Sequence, residues 1–254
     1  MIQGVALGSD VVYRQYNNPY ETIETNQIWN NAGTSLSSDG AYKNGRAETI
    51  SDLATPSDAK RRYLGITGTA HKREGALKIT ASYTWSALQG NVNNNEGNDF
   101  GENPGRQVYL YGYLPDDSRH MLRVQSTYMI TKWLSSGFIW RYSSGRPYRR
   151  RFRNDVLGSF SDYRARVGVN PSANINDPSD DRPLRLPDQM SAALQLRANF
   201  RQLTGVNAEA FCGVLNILAL RTTTSVDEQD GPLFGTARGR MSPLTLRIGF
   251  RYRY

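Results

Sequence analysis

The sequence predicts an all-β chain of antiparallel strands, and three observations carry that expectation. Apolar and polar residues alternate with period two through several segments of about ten residues. Polar connections rich in Gly, Pro, Asn and Asp separate these segments. The connections take turns in length, short then long. About eight strands are expected over the 254 residues.

In chain order, "VALGSDVVY" and "YLGITGTA" are the weaker strand candidates. "ALKITASYTWS" is the cleanest: Leu77, Ile79, Ala81, Tyr83 and Trp85 alternate with Lys78, Thr80, Ser82, Thr84 and Ser86. A helix would not keep those sets apart, because its period is 3.6 residues. "HMLRVQSTYMI" sets Leu122, Val124, Tyr128 and Ile130 against Arg123, Gln125, Thr127 and Met129. "WLSSGFIWRYSSG" follows almost at once, with Leu134, Phe138, Trp140 and Tyr142 opposite Ser135, Gly137, Arg141 and Ser143, so the two read as a tight hairpin. "MSAALQLRANF" places Met190, Ala192, Leu194, Leu196 and Phe200 against Ser191, Gln195, Arg197 and Asn199, and "VNAEAFCGVLNIL" is a less regular strand from about residue 206. The chain ends on "LTLRIGFRYRY", with Leu244, Leu246, Ile248, Phe250, Tyr252 and Tyr254 on one side and Thr245, Arg247, Gly249, Arg251 and Arg253 on the other.

The lengths of the connections point to a barrel in a membrane. "HKREG", "ITKW" and "RQLTG" are short, whereas roughly residues 30–60, 88–118, 145–188 and 220–242 are long. A soluble sandwich has no reason to put every long loop at one end; an outer-membrane barrel puts short turns towards the periplasm and long loops outside. Strands tilted by about 45° need about 9–11 residues to cross, which the best segments have. Aromatics fall where two interfacial girdles belong: Tyr83, Trp85, Trp140 and Tyr142 near the outer rim, Tyr128, Trp133, Tyr252 and Tyr254 near the periplasmic one. Ordinary cross-strand pairs in a soluble sheet are the alternative, against which the opposite faces are too polar for a dry sandwich core.

Composition narrows the classes. With 38% hydrophobic residues and a mean hydropathy of −0.60, no stretch approaches the roughly 20 apolar residues of a spanning helix. A barrel's alternation dilutes that signal, so hydropathy is neutral between a barrel and a soluble sheet. The net charge of +8 permits an anionic partner, but the arginines follow no helix and no nucleic-acid motif is present. The single Cys212 makes no internal disulfide and reads as a small packing residue. The start, "MIQGVALGSD", lacks a charged region followed by an apolar region and a cleavage site, so no export signal is expected within it.

Candidate chemistry is confined to loops. "SGRPYRRRFRND" gathers Arg146, Arg149, Arg150, Arg151 and Arg153 around Tyr148 and Phe152. Its guanidinium groups suit lipopolysaccharide phosphates or an anionic ligand, and its aromatics a sugar; a solvated loop paired with Asp155 and Asp162 is the plainer reading. Asp177, Asp180 and Asp181 in "NINDPSDDRPLRLPD" offer oxygen ligands but lack the glycine and terminal glutamate of a calcium loop, so a Pro- and Asp-rich turn accounts for them, and no metal or cofactor is expected. A hydrolase would draw on Asp117, Ser118 and His120, but neighbours in a strand point to opposite faces, and no enzyme is expected.

The segments "YTWSALQGN", "YLPDDSRHMLRVQ", "WRYSSGRPY", "DDRPLRLPD", "VLNIL", "LFG" and "RIGFRYRY", in this order and spacing, make the last two-thirds of the chain resemble the C-terminal barrel region of TonB-dependent outer-membrane receptors. "GSDVVYRQYNNPYETIETNQIW" looks like a long strand of that family running up towards the exterior, extending the resemblance over nearly the whole chain. The resemblance implies a barrel of about twenty-two strands around a plug. Residues 1–254 would supply its C-terminal portion, without plug domain, TonB-contacting box or export signal. It also implies energised nutrient uptake by the intact protein, location in the bacterial outer membrane, and contact with outer-membrane lipid and lipopolysaccharide. Contact with TonB would run only through the missing N-terminal region. Phe250, Tyr252 and Tyr254 resemble the C-terminal signal read by the barrel-assembly machinery, and the last strand is expected to close on a first strand outside this chain. Arg123, Arg141, Arg197, Arg247, Arg251 and Arg253 would face the plug or a wet lumen, whereas a closed eight-strand barrel would crowd them. A self-sufficient small barrel with a structural or adhesive role is the alternative, and an outer-membrane lipid hydrolase a third reading.

Overall fold

The computed structural model describes residues 4–26, 28, 42–46, 48, 50–57, 59–92, 111–148, 150–153, 160–163, 184–229 and 231–253. The strands are β1 (Val5–Asn17), β2 (Glu21–Glu24), β3 (Ser51–Ala54), β4 (Lys60–Lys72), β5 (Leu77–Gly90), β6 (Gly112–Tyr113), β7 (His120–Met129) and β8 (Leu134–Ser143). They continue as β9 (Arg150–Arg153), β10 (Phe160–Tyr163), β11 (Gln189–Asn199), β12 (Ala208–Leu215), β13 (Thr223–Val226), β14 (Ala237–Arg240) and β15 (Thr245–Tyr252).

Eight of these form one antiparallel meander in the order β1-β4-β5-β7-β8-β11-β12-β15, and each coincides with one of the alternating segments. The three short connections of this meander lie at one end. They are the turn after Lys72, the turn at Ile130–Trp133, and a single helical turn, α1 (Arg201–Thr204), ahead of β12. Gly75 and Gly205 take φ of 78° and 79° there, a left-handed backbone that a side chain disfavours. The long connections lie at the other end and carry the short ribbons β2–β3, β9–β10 and β13–β14.

The register sorts the side chains as the alternation implies, because cross-strand partners share a face. One face carries Val11, Ile66 and Trp85 in one row, and Val124, Trp140 and Ala192 in another. It ends on Val214, Cys212, Ala210 and Ala208 of β12 against Leu246, Ile248, Phe250 and Tyr252 of β15. Much of this face is bare: Leu7 is 80%, Ile248 73% and Phe250 68% exposed. In water so large an apolar area would be a liability; against lipid it is the surface a barrel wall presents. Cys212 stands exposed on this face rather than packed in a core.

The opposite face is polar. Thr67 and Thr84 share a hydroxyl hydrogen bond of 2.9 Å, His71 Nδ1 meets the Thr80 hydroxyl at 3.2 Å, and Arg251 pairs with Glu209 at 3.1 Å. Among the described residues the sheet is open: β1 and β15 each pair on one edge only. Burial is concentrated at the long-loop end, where Ala59 and Val92 pack with Ile23, and Leu88 and Leu114 are also covered.

One expectation needs correction. The single long strand expected from "GSDVVYRQYNNPYETIETNQIW" stops at Asn17. Asn18 turns the backbone to φ 51°, a conformation asparagine tolerates better than most residues, and the chain resumes as β2 in a separate hairpin with β3.

Candidate functional site

The long-loop end is organised around Asp117. Its carboxylate is fully buried; one oxygen accepts the Leu88 amide at 2.7 Å and the other pairs with Arg185. Arg185 also donates to the Gly145 carbonyl at 2.8 Å, and Arg119 approaches Asp117 at 3.8 Å. Both guanidinium groups stack on Tyr113, at 4.4 Å for Arg119 and 5.2 Å for Arg185. Three stretches that carry the family resemblance, "YLPDDSRHMLRVQ", "WRYSSGRPY" and "DDRPLRLPD", are thereby joined at one buried charge.

Against this base opens a cleft of about 410 Å³. Asp116, Arg146 and Tyr148 line one side, and Ser225, Asp227 and Arg238 the other. Arg146 pairs with Asp116 at 3.7 Å and Arg238 with Asp227 at 2.6 Å. The Arg238 hydrogen bond and the Gln229 amide hold the Asp227 carboxyl below the usual carboxylate range. Burial pushes the Tyr148 hydroxyl up, so it stays a neutral donor in mildly alkaline solution, and its ring lies 6.1 Å from that of Phe234. The cleft thus offers two arginines already neutralised, an aromatic pair and several hydroxyls, a set suited to orienting a polar solute by hydrogen bonds and stacking.

The expected site residues divide accordingly. Arg146 and Tyr148 line the cleft. Arg150, Arg151 and Phe152 lie in β9, paired with β10, with side chains outside the described residues; Arg149, Asp177, Asp180, Asp181 and Tyr254 also lie outside them. Asp227, Phe234 and Arg238 carry no sign in the sequence, because neither a loop nor a four-residue ribbon strand is long enough to show a period; only "LFG", part of the resemblance, points to Phe234. Of the outer aromatics, Tyr83 and Tyr142 flank Leu122 in one row, with Trp85 and Trp140 two residues along their own strands. Tyr83 shares a 2.8 Å hydrogen bond with His120, and Tyr142 donates to Asp188 at 2.6 Å. Tyr128, one residue before the end of β7, and Tyr252, the last residue of β15, lie at the short-turn side, where Trp133 sits in a turn. Asp117, Ser118 and His120 form no relay. The Ser118 hydroxyl donates to the Ser144 carbonyl, while Asp117 and His120 hold the separate partners just described.

Comparison of the whole chain with solved structures decides what kind of wall this is. The outer-membrane transporter YddB from Escherichia coli matches 98% of the chain with a TM-score of 0.61 at 13% identity. The fold is that of an outer-membrane β-barrel wall. The siderophore receptor PirA from Acinetobacter baumannii matches 99% of the chain (TM-score 0.54, 11% identity), and the ferric-catecholate import receptor Fiu from E. coli 98% (0.52, 14%). The chain spans 30% of YddB, 30% of PirA and 25% of Fiu. No family model and no curated protein sequence matches, so the likeness lives in the fold.

Proposed function

We propose that the chain is the C-terminal part of the wall of a TonB-dependent receptor in the bacterial outer membrane, serving energised uptake of a nutrient by the whole protein. One observation carries the reading: a meander of eight strands bears an exposed apolar face, a polar arginine-bearing face and all its long loops at one end. The open edges support a larger barrel, since unpaired backbone groups facing lipid cost several kcal/mol each. The receptors and transporters that share the fold favour a role without catalysis. Their coverage of 25–30% fits a partial wall. On this reading Tyr83, Trp85, Trp140 and Tyr142 anchor at the outer interface, and Phe250, Tyr252 and Tyr254 form the signal for barrel assembly. Arg146, Tyr148 and the "RRRF" stretch meet solute or lipopolysaccharide. Engagement of TonB belongs to a part of the receptor beyond these residues.

Cell fractionation tests the reading. The protein containing this chain should sediment with the outer membrane and migrate differently on gels before and after boiling. Recovery as a soluble species without detergent would overturn it.

A further inference from the structure

On the polar face, Arg123 of β7 and Arg141 of β8 are direct cross-strand partners. Such partners hold their Cβ atoms about 4.5–5.5 Å apart, and like charges placed so are destabilising. Ser82 of β5 flanks Arg123 and Ser191 of β11 flanks Arg141, so a row Ser82–Arg123–Arg141–Ser191 crosses four strands. The next row towards the long loops is Met121–Ser143–Gln189. Met241, arriving from the connection after β14, completes a cavity of about 190 Å³ over these two rows.

Neither guanidinium forms an ion pair with a described residue. Elsewhere on the same face the chain neutralises an arginine across the strand, as Glu209 does for Arg251. At the Arg123–Arg141 pair it places serines instead, which donate but do not neutralise.

We infer that this pair is an anion-binding station on the lumenal face, taking a solute that carries a phosphate or carboxylate group. Each guanidinium offers a planar fork of donors matched to such a group. The Ser143 and Ser191 hydroxyls and the Gln189 amide add neutral donors, and Met121 and Met241 offer adaptable apolar contact to the solute's carbon portion. The inference rests on the reading of this face as the lumen of a receptor barrel.

The test uses the whole protein purified from outer membranes in detergent, with inorganic pyrophosphate as the probe in calorimetric titration. Wild type should bind it saturably and in a salt-sensitive manner, and the Arg123→Gln/Arg141→Gln double variant about tenfold or more weakly. Heat-modifiable migration checks that each variant is folded. Without pyrophosphate, Arg123→Gln alone should raise the melting temperature, because it removes the repulsion. Absence of saturable binding to wild type, including the case in which an acidic protein segment covers the pair, would overturn the station; so would equal affinity in the double variant. Failure to reach the outer membrane would sink the receptor reading, whereas a correctly delivered barrel that binds no pyrophosphate would sink this inference alone.

Discussion

Phe211 of β12 lays its ring across Gly249 of β15, filling the space that a Cβ there would occupy. Arg247 extends over the same ring, with its guanidinium 5.7 Å from the centroid. Glycine in a strand weakens it, and an aromatic from the neighbouring strand recovers part of the loss. A larger residue at 249 therefore has to displace the ring. Gly249→Val should destabilise the β12–β15 pair by about 1–3 kcal/mol, read as a lower temperature at which the heat-modifiable band disappears, and Gly249→Ala should do so less.

Ile248 sits midway along β15 on the exposed apolar face. Ile248→Arg should cost about 2–4 kcal/mol of folding free energy in lipid vesicles. Thr80→Lys, on the polar face beside Gln125, should cost far less. Equal penalties would mean that the two faces have been exchanged or that neither meets lipid.

Asp117→Asn removes the charge that holds Arg185 and Arg119 on Tyr113. The expected loss is about 2–3 kcal/mol, below that of a wholly buried pair because the Arg185 side chain keeps 21% exposure. Limited proteolysis should then cut the long loops that precede β7 and β11 sooner while the strands stay protected.

The Asp227 carboxyl is held low by Arg238 and by the Gln229 amide. A depressed folded-state pKa contributes stability that is present above the ordinary carboxylate value and is lost as pH falls through the depressed one. The β13–β14 ribbon should therefore keep its protection from hydrogen exchange at mildly acidic pH and lose it only in stronger acid. Arg238→Ala should move that loss to higher pH.

The parts of the fold legible in the sequence are those governed by a period. "ALKITASYTWS" and "LTLRIGFRYRY" name both their strands and their faces, since one lipid-facing side forces strict alternation. The turns at Gly75 and Gly205 were legible from their shortness. The break at Asn18 was not, because one residue in a left-handed conformation leaves no periodic trace in "VVYRQYNNPY". The cleft was half legible. Charge density marks Arg146 and Tyr148, but the wall bearing Asp227 and Arg238 comes from a ribbon nearly eighty residues further on, and only folding brings it there. The Arg123–Arg141 pairing was hidden for a related reason: each arginine sits in an ordinary polar position of its own strand, and only the register sets them side by side.

The most direct test of the account is which end of the sheet faces out. In a Cys212→Ser background, single cysteines at Ser225, in the β13–β14 ribbon, and at Glu74, in the turn before β5, are exposed to a membrane-impermeant maleimide on intact cells. The account predicts labelling at 225 on intact cells and at 74 only after the outer membrane is permeabilised. Labelling at 74 on intact cells, or of both positions alike, would contradict it.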